Sequence, residues 1–397
     1  MRSWIRFPSL PRQPGRKSIA LILVLVALVA IEPALSRGLR SAGIALEAIP
    51  GGGPRPLSLL TPKPLRSVVD MEWREGGLEA DLYDPGGLGR KPGLILLNGV
   101  VREGRRYGEL VNLARALSRA GFVVMVPDLL SYSRLRLVLD DVDVLARAFE
   151  FLAGYESVDP RRVGFVGFSV GGSLAFVAAA ESRIADDVRF VAMIGPYSDL
   201  ARVIVEVTTT SYVRDGERVR FRPESFVWSV TRDTLVASLD RPQDRAVLGA
   251  LFSGSRPAQN REALRKFGRD DLSPDGQQVH DIFTNRDPDR AEALIAALPE
   301  GVLSGLRRLS PVNAAQAMRA RVVILHEVGD PFFPSWESEH LLQSLPDDRA
   351  QLTLTSVIQH AELRIPPPSP GNILGFYVPE GWKLGSFIFS ILAAAEG

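Results

Sequence analysis

Apolar and polar positions alternate from Ser67 to Arg74 and again from Leu78 to Tyr83, with Glu75-Gly76-Gly77 between them. That period of two predicts a β-hairpin. The runs Leu94–Leu97, Phe122–Val126, Val163–Phe168 and Phe190–Ile194 are instead continuously apolar, as is Arg321–Leu325 after its first residue, the pattern of strands covered on both faces. Helical spacing fills the gaps. Tyr107–Arg119 places Leu110, Leu113, Ala114 and Leu117 on one stripe and is closed by Gly121, and Leu135–Ala153, Gly171–Ala180, Val312–Met318, Ser335–Leu345 and Gly385–Ala395 read as further helices. Gln351–Thr355 is a last strand. A hairpin followed by alternating strands and helices predicts an α/β fold, a mostly parallel central sheet with helices on both faces. Reactive groups in such sheets gather beyond the carboxyl ends of the strands. Asn98-Gly99-Val100, Ser169 and Tyr197-Ser198-Asp199 all occupy such ends.

The alternation stops between residues 201 and 309. Val203–Arg222 alternates like strands around Asp215-Gly216, Arg261–Phe267 and Arg290–Leu298 look like short helices, and charges are dense. The expectation is an inserted cap over the reactive edge of the sheet; a separate second domain is the alternative. The core is then residues 66–200 and 310–397.

The N-terminal end differs in kind. Arg2, Arg6, Arg12, Arg16 and Lys17 precede an unbroken apolar run, Ile19–Ile31, and Ala34-Leu35-Ser36 offers small residues for cleavage. Basic start, apolar middle and small-residue end predict a signal peptide or membrane anchor over residues 1–36. The run is short of the roughly 20 residues of a bilayer span. Either way the charge asymmetry directs the remainder to the outer face, an extracytoplasmic location. Residues 37–65, rich in Gly, Pro and Arg, read as a linker.

Composition removes some function classes. The 397 residues carry 47 Lys+Arg against 46 Asp+Glu, so charge gives no reason to expect a nucleic-acid partner. Cysteine is absent, which excludes disulfides, thiolate catalysis and cysteine zinc sites. No ligand cluster at metal spacing and no phosphate-cradling loop appears, so neither metal nor cofactor is expected. Only four histidines, His280, His326, His340 and His360, can serve a histidine-dependent mechanism.

The most informative stretch is Gly167-Phe168-Ser169-Val170-Gly171-Gly172. A buried strand leads in and a helix of small residues leads out. In that context G-x-S-x-G describes a sharp turn that lifts a serine above the sheet at a helix N-terminus. With Val158-Asp159-Pro160-Arg161-Arg162-Val163-Gly164 before it, and Leu325-His326-Glu327-Val328-Gly329-Asp330-Pro331 with Pro334 later, the chain from about residue 66 onward resembles the α/β-hydrolase superfamily. Among its branches it is most similar to the dienelactone hydrolase and prolyl-oligopeptidase-like group. Many relatives carry His-Gly after the first central strand; here it is Asn98-Gly99.

The resemblance implies a chain order of serine, acid and histidine, which Ser169, Asp330 and His360 satisfy. A serine hydroxyl needs a base to take its proton and a partner to hold that base. Ser169 is then the nucleophile, His360 the base and Asp330 its partner. His326, at a strand end close to the acid, competes for the base, and Asp199 competes for the acid. The oxyanion donors are expected from the backbone of Val170, at the helix start, and of Val100. Asn98 either adds a side-chain donor or ties the loop. Arg102, Arg105 and Arg106 either favour an anionic substrate or form a solvated face.

These residues together predict a serine hydrolase acting on a small-molecule acyl substrate, a carboxylic ester or related bond. A peptidase or acyltransferase would use the same groups, and a non-catalytic envelope scaffold is the reading from another class. Dehalogenase and epoxide hydrolase chemistry is disfavoured, since those relatives carry aspartate at the turn.

Overall fold

The computed structural model describes residues 34–49, 55–73, 76–252, 266–346, 348–360, 362–363, 366 and 369–397. Its centre is an eight-stranded sheet ordered β1-β2-β4-β3-β5-β6-β9-β10. The strands are β1 (Leu65–Trp73), β2 (Gly76–Asp84), β3 (Lys91–Leu97), β4 (Val123–Pro127), β5 (Val158–Phe168), β6 (Phe190–Ile194), β9 (Arg321–Glu327) and β10 (Ala350–Thr355). The hairpin β1–β2 is antiparallel and meets β4 antiparallel, while β4, β3, β5, β6, β9 and β10 run parallel. The continuous apolar runs are the central strands, since β3, β4, β5 and β6 are covered on both faces. This strand order, with helices on both sides, is the α/β-hydrolase fold.

Two apolar layers clothe the sheet. Asp140–Ala153 and Val170–Ala179 pack on one face. Gly108–Arg119, Val378–Glu396 and a helix over residues 34–47 pack on the other. That last helix corrects the linker expected over 37–65. Its inner positions, Arg37, Arg40, Ser41, Ile44 and Glu47, recur at helical spacing. Ile44 is buried with Leu57 of a short second helix, Pro56–Leu60, and Arg37 and Arg40 pair with Glu396 near the C-terminus. Small and charged residues on the inner face hid the stripe behind a Gly, Pro and Arg composition. The apolar run Ile19–Ile31, with the signal or anchor expected there, lies outside the described residues. Among the described residues no helix is long and apolar enough to cross a membrane.

Between β6 and β9 the chain forms an insertion of helices: Leu200–Thr209, Ser225–Ala237, Pro242–Leu251, Pro274–Thr284, Pro288–Ala296 and Glu300–Arg308. A hairpin of β7 (Ser211–Arg214) and β8 (Glu217–Arg220) interrupts them. The strand-like pattern of Val203–Arg222 is therefore half helix. Leu200, Val203, Ile204 and Val207 are buried at helical spacing and Asp199 caps the start. The burial stripe outweighs the β preference of valine and isoleucine. Arg261–Phe267 falls largely outside the described residues. Trp228 meets Phe283 edge-on at 4.8 Å, and both belong to one cluster with Leu174 and Met193 beside the sheet. Residues 135–139, expected to begin a helix, instead turn at Leu135, whose φ is 53°, and the helix starts at Asp140.

Candidate active site

The turn at the end of β5 is built from residues with no room for side chains. A Cβ on Gly167 would lie 2.5 Å from the Gly172 nitrogen, one on Gly171 2.1 Å from the Asn98 carbonyl oxygen, and one on Gly172 2.8 Å from the Gly167 oxygen. Strand and helix are thus packed backbone to backbone. Between them Ser169 sits at φ 52°, ψ −130°, a conformation that costs about 1–3 kcal/mol and persists only where the surroundings impose it. Its N–H donates to the Ile194 carbonyl (2.6 Å), and its own carbonyl accepts from Gly172 and Ser173 in the first turn of the helix.

The residue after Ile194 links the serine to the other candidates. Gly195 has φ +59°, and a Cβ on it would lie 3.2 Å from both Asp330 Oδ2 and His360 Nδ1. His360 Nδ1 and Asp330 Oδ2 are 2.8 Å apart, both side chains buried or nearly so. Asp330 Oδ1 accepts from the N–H groups of Phe332 and Phe333. Burial by itself would raise the Asp330 carboxyl, but hydrogen bonds from His326 and His360 hold it well below the ordinary carboxylate range. The Phe332 ring stacks on the His360 imidazole at 4.0 Å, Phe333 meets it edge-on, and Glu327 accepts the His360 backbone N–H (2.7 Å). His360 itself has φ 57°. Burial raises the Glu327 carboxyl.

Ser169 and His360 face one cavity of about 800 Å³. Asn98, Gly99, Val100 and Val170 also line it, on the serine side. Gly99 approaches so closely that a Cβ there would lie 3.1 Å from the Ser169 Cβ. Val170 is the first residue of the helix, where backbone N–H groups are unpaired and the helix dipole favours negative charge. Asn98 ties the loop: its side-chain amide donates to the Gly104 carbonyl at 3.0 Å.

The competing residues are engaged elsewhere. His326 is fully buried, with Nε2 3.1 Å from the Phe333 carbonyl and Nδ1 2.6 Å from Ser338 Oγ. A carbonyl only accepts, so Nε2 carries the proton and Nδ1 accepts from the serine. Nε2 also lies 3.5 Å from Asp330 Oδ2, which makes His326 a second support for the acid. Asp199 caps the helix Leu200–Thr209 and pairs with Arg202, not with a histidine. The three arginines divide. Arg102 and Arg106 are exposed, whereas Arg105, read as either solvated or anion-binding, is 4% exposed and paired with Asp81 (2.6 Å), Glu79 and Asp128. Reading the sequence missed Gly195, Phe332, Phe333 and Glu327. Gly195, following a buried strand, carried a signal; the phenylalanines looked like any apolar pair.

Residues 128–222 match the acetyl xylan esterase (AXE1) family model. No curated protein matches the chain by sequence. Among solved structures, the 2,6-dihydroxy-pseudo-oxynicotine hydrolase is 16% identical over 83% of this chain and 69% of its own, with a TM-score of 0.46. The Pyrobaculum calidifontis esterase is 17% identical over 91% and 92%, TM-score 0.46. The Pyrococcus horikoshii acylaminoacyl peptidase is 14% identical over 84% of this chain, TM-score 0.46, and this chain spans 40% of that protein's length. The sheet order and the serine turn are those of the α/β-hydrolase fold, and the stretch matched by the family model, 95 of the 397 residues, contains Ser169. The family matched is one of carboxylic ester hydrolases.

Proposed function

We propose that the chain cleaves carboxylic esters through an acyl-enzyme on Ser169, with His360 as base and Asp330 as its partner. The observation that carries this reading is the 2.8 Å contact between His360 Nδ1 and Asp330, set in the same cavity as a serine on a strained turn. With Nδ1 donating to the carboxylate, Nε2 is left with a lone pair to accept a proton. Ser169 Oγ attacks the ester carbonyl carbon as its proton passes to His360 Nε2. The oxyanion is held by backbone N–H groups, Val170 and Val100 being the donors proposed. Collapse breaks the bond to the leaving alcohol, which takes the proton from His360. A water then repeats the sequence, forming the carboxylic acid and restoring Ser169.

Turnover of p-nitrophenyl acetate tests this. The wild type hydrolyses it and Ser169→Ala loses activity by about 10⁵–10⁶-fold, the scale of removing such a nucleophile; a variant that kept wild-type turnover would refute the assignment. An acyltransferase or peptidase would share these groups and differ in the acceptor. The proposal extends to location: Arg2 to Lys17 ahead of Ile19–Ile31 support attachment to, or export across, a membrane, and recovery of the unprocessed chain from the cytosol would contradict it.

A further inference from the structure

The cavity is far larger than an acetyl group. An acetyl group fills the space of two or three waters at roughly 30 Å³ each, against about 800 Å³ here. Part of its room lies under the inserted helices, against Val203, Val227 and Leu235, and part runs down the sheet from the serine. Val166, three positions before Ser169 on β5, lines it, which places the wall about 10 Å below the turn. On the C-terminal helix the lining extends from Leu384 to Leu392, about 12 Å of helix. The facing walls are Leu113 and Leu117 of Gly108–Arg119 and Ile44 of the 34–47 helix. Beside Ile44, the small Ala45 and Ala48 line the space together with Glu47 and Ile49. The arm is floored by Phe122, Leu325 and Leu392, each 1% exposed.

We infer that the substrate is an ester of a long apolar acyl chain, of about eight carbons or more at a water-sized volume per methylene, and that this chain lies in the arm between residues 34–47, Gly108–Arg119 and the C-terminal helix. The inference rests on the serine-hydrolase reading above. The acyl part is assigned to the arm because it stays bonded to Ser169 until water arrives, whereas the alcohol must leave, and among the described residues the arm is closed below by Phe122, Leu325 and Leu392. The walls suit hydrocarbon: Ile44, Leu113, Leu117, Val166, Leu325, Leu384 and Leu392 line it, with Glu47 and Asn112 among the polar residues on the same two N-terminal-side helices.

The test is a series of p-nitrophenyl esters with one leaving group and acyl chains from acetate to dodecanoate. Each methylene moved from water into apolar walls is worth roughly fourfold, so kcat/KM for octanoate exceeds that for acetate by ~100-fold or more. Acetate turned over as well as octanoate would overturn the inference while leaving the serine mechanism standing; turnover of no ester, with no fluorophosphonate label, would overturn both. Ala45→Phe, narrowing the arm, lowers the octanoate-to-acetate ratio by about tenfold or more through lost burial of methylenes. An unchanged ratio in a folded variant contradicts the placement. A series of alkyl acetates is flat with alcohol length; a preference for long alcohols over long acyl chains would also overturn it.

Discussion

His360 Nδ1 and Asp330 Oδ2 lie 2.8 Å apart although 30 residues separate them in the chain. The contact is held from several sides. Phe332 and Phe333 donate to the other carboxylate oxygen, Glu327 fixes the His360 backbone, and the Phe332 ring lies flat on the imidazole. In the proposed mechanism, Asp330→Asn removes the charge and permits the wrong imidazole tautomer while keeping the shape. We expect kcat for p-nitrophenyl acetate to fall by about 10³–10⁴-fold with little change in the thermal midpoint. A fall of less than about tenfold would place the acid elsewhere.

The two histidines near Asp330 separate by assay. His360→Ala abolishes ester turnover. His326→Ala opens a fully buried site and strips Ser338 of its partner, so its loss is mainly in stability, of the order of 1–3 kcal/mol, and part of the activity remains. Parallel kinetics and denaturant melts read both; inactive His326→Ala with a wild-type midpoint would reverse the assignment.

Much of this was legible from residues alone. The serine turn announces itself because Gly167, Gly171 and Gly172 stand where backbone meets backbone, and the buried strands because both their faces are apolar. The helix at 34–47 was not legible, since its inner face carries Arg37, Arg40 and Glu47: the two arginines pair with Glu396, distant in sequence, and Glu47 accepts the Ser58 N–H of the following helix. The role of Arg105 was hidden for the same reason. Its carboxylate partners Glu79 and Asp81 come from β2, and only the folded sheet brings them to the loop.

Gly195→Ala tests the close approach beside the imidazole. The left-handed φ costs about 1–2 kcal/mol for any side chain, and the new methyl presses on Asp330 and His360. Activity should drop by about tenfold or more, beyond what the stability loss explains, because a small displacement of catalytic groups is costly. Wild-type kcat in this variant would show that the pair tolerates displacement.

Among the described residues, Arg105→Met leaves the fully buried Asp81 with the half-exposed Arg66 as its one cation. Breaking a buried pair on one side costs about 3 kcal/mol or more, read as a lower urea midpoint at unchanged m-value. Arg105 lies in the loop that Asn98 ties through Gly104, so activity should fall as well. A variant as stable as wild type would mean the cluster is solvated.

Burial raises the Asp141 carboxyl from its ordinary value to about 6, against hydrogen bonds from Ser131 and the Val138 N–H that lower it. A carboxyl raised on folding favours the folded state while protonated, and that contribution is lost as pH rises from about 4 to about 6. Wild type should lose of the order of 2–3 kcal/mol across that interval from this group. Asp141→Asn should lack this slope in denaturant melts taken at each pH; an identical slope in both proteins would assign it to other groups.

The central claim is that Ser169 is a nucleophile. Incubating folded protein with a fluorophosphonate and mapping the adduct by peptide mass spectrometry tests it most directly. One adduct on Ser169, absent from Ser169→Ala and from His360→Ala, is the expected result. Folded wild type that takes no label, or takes it on another residue, contradicts the account.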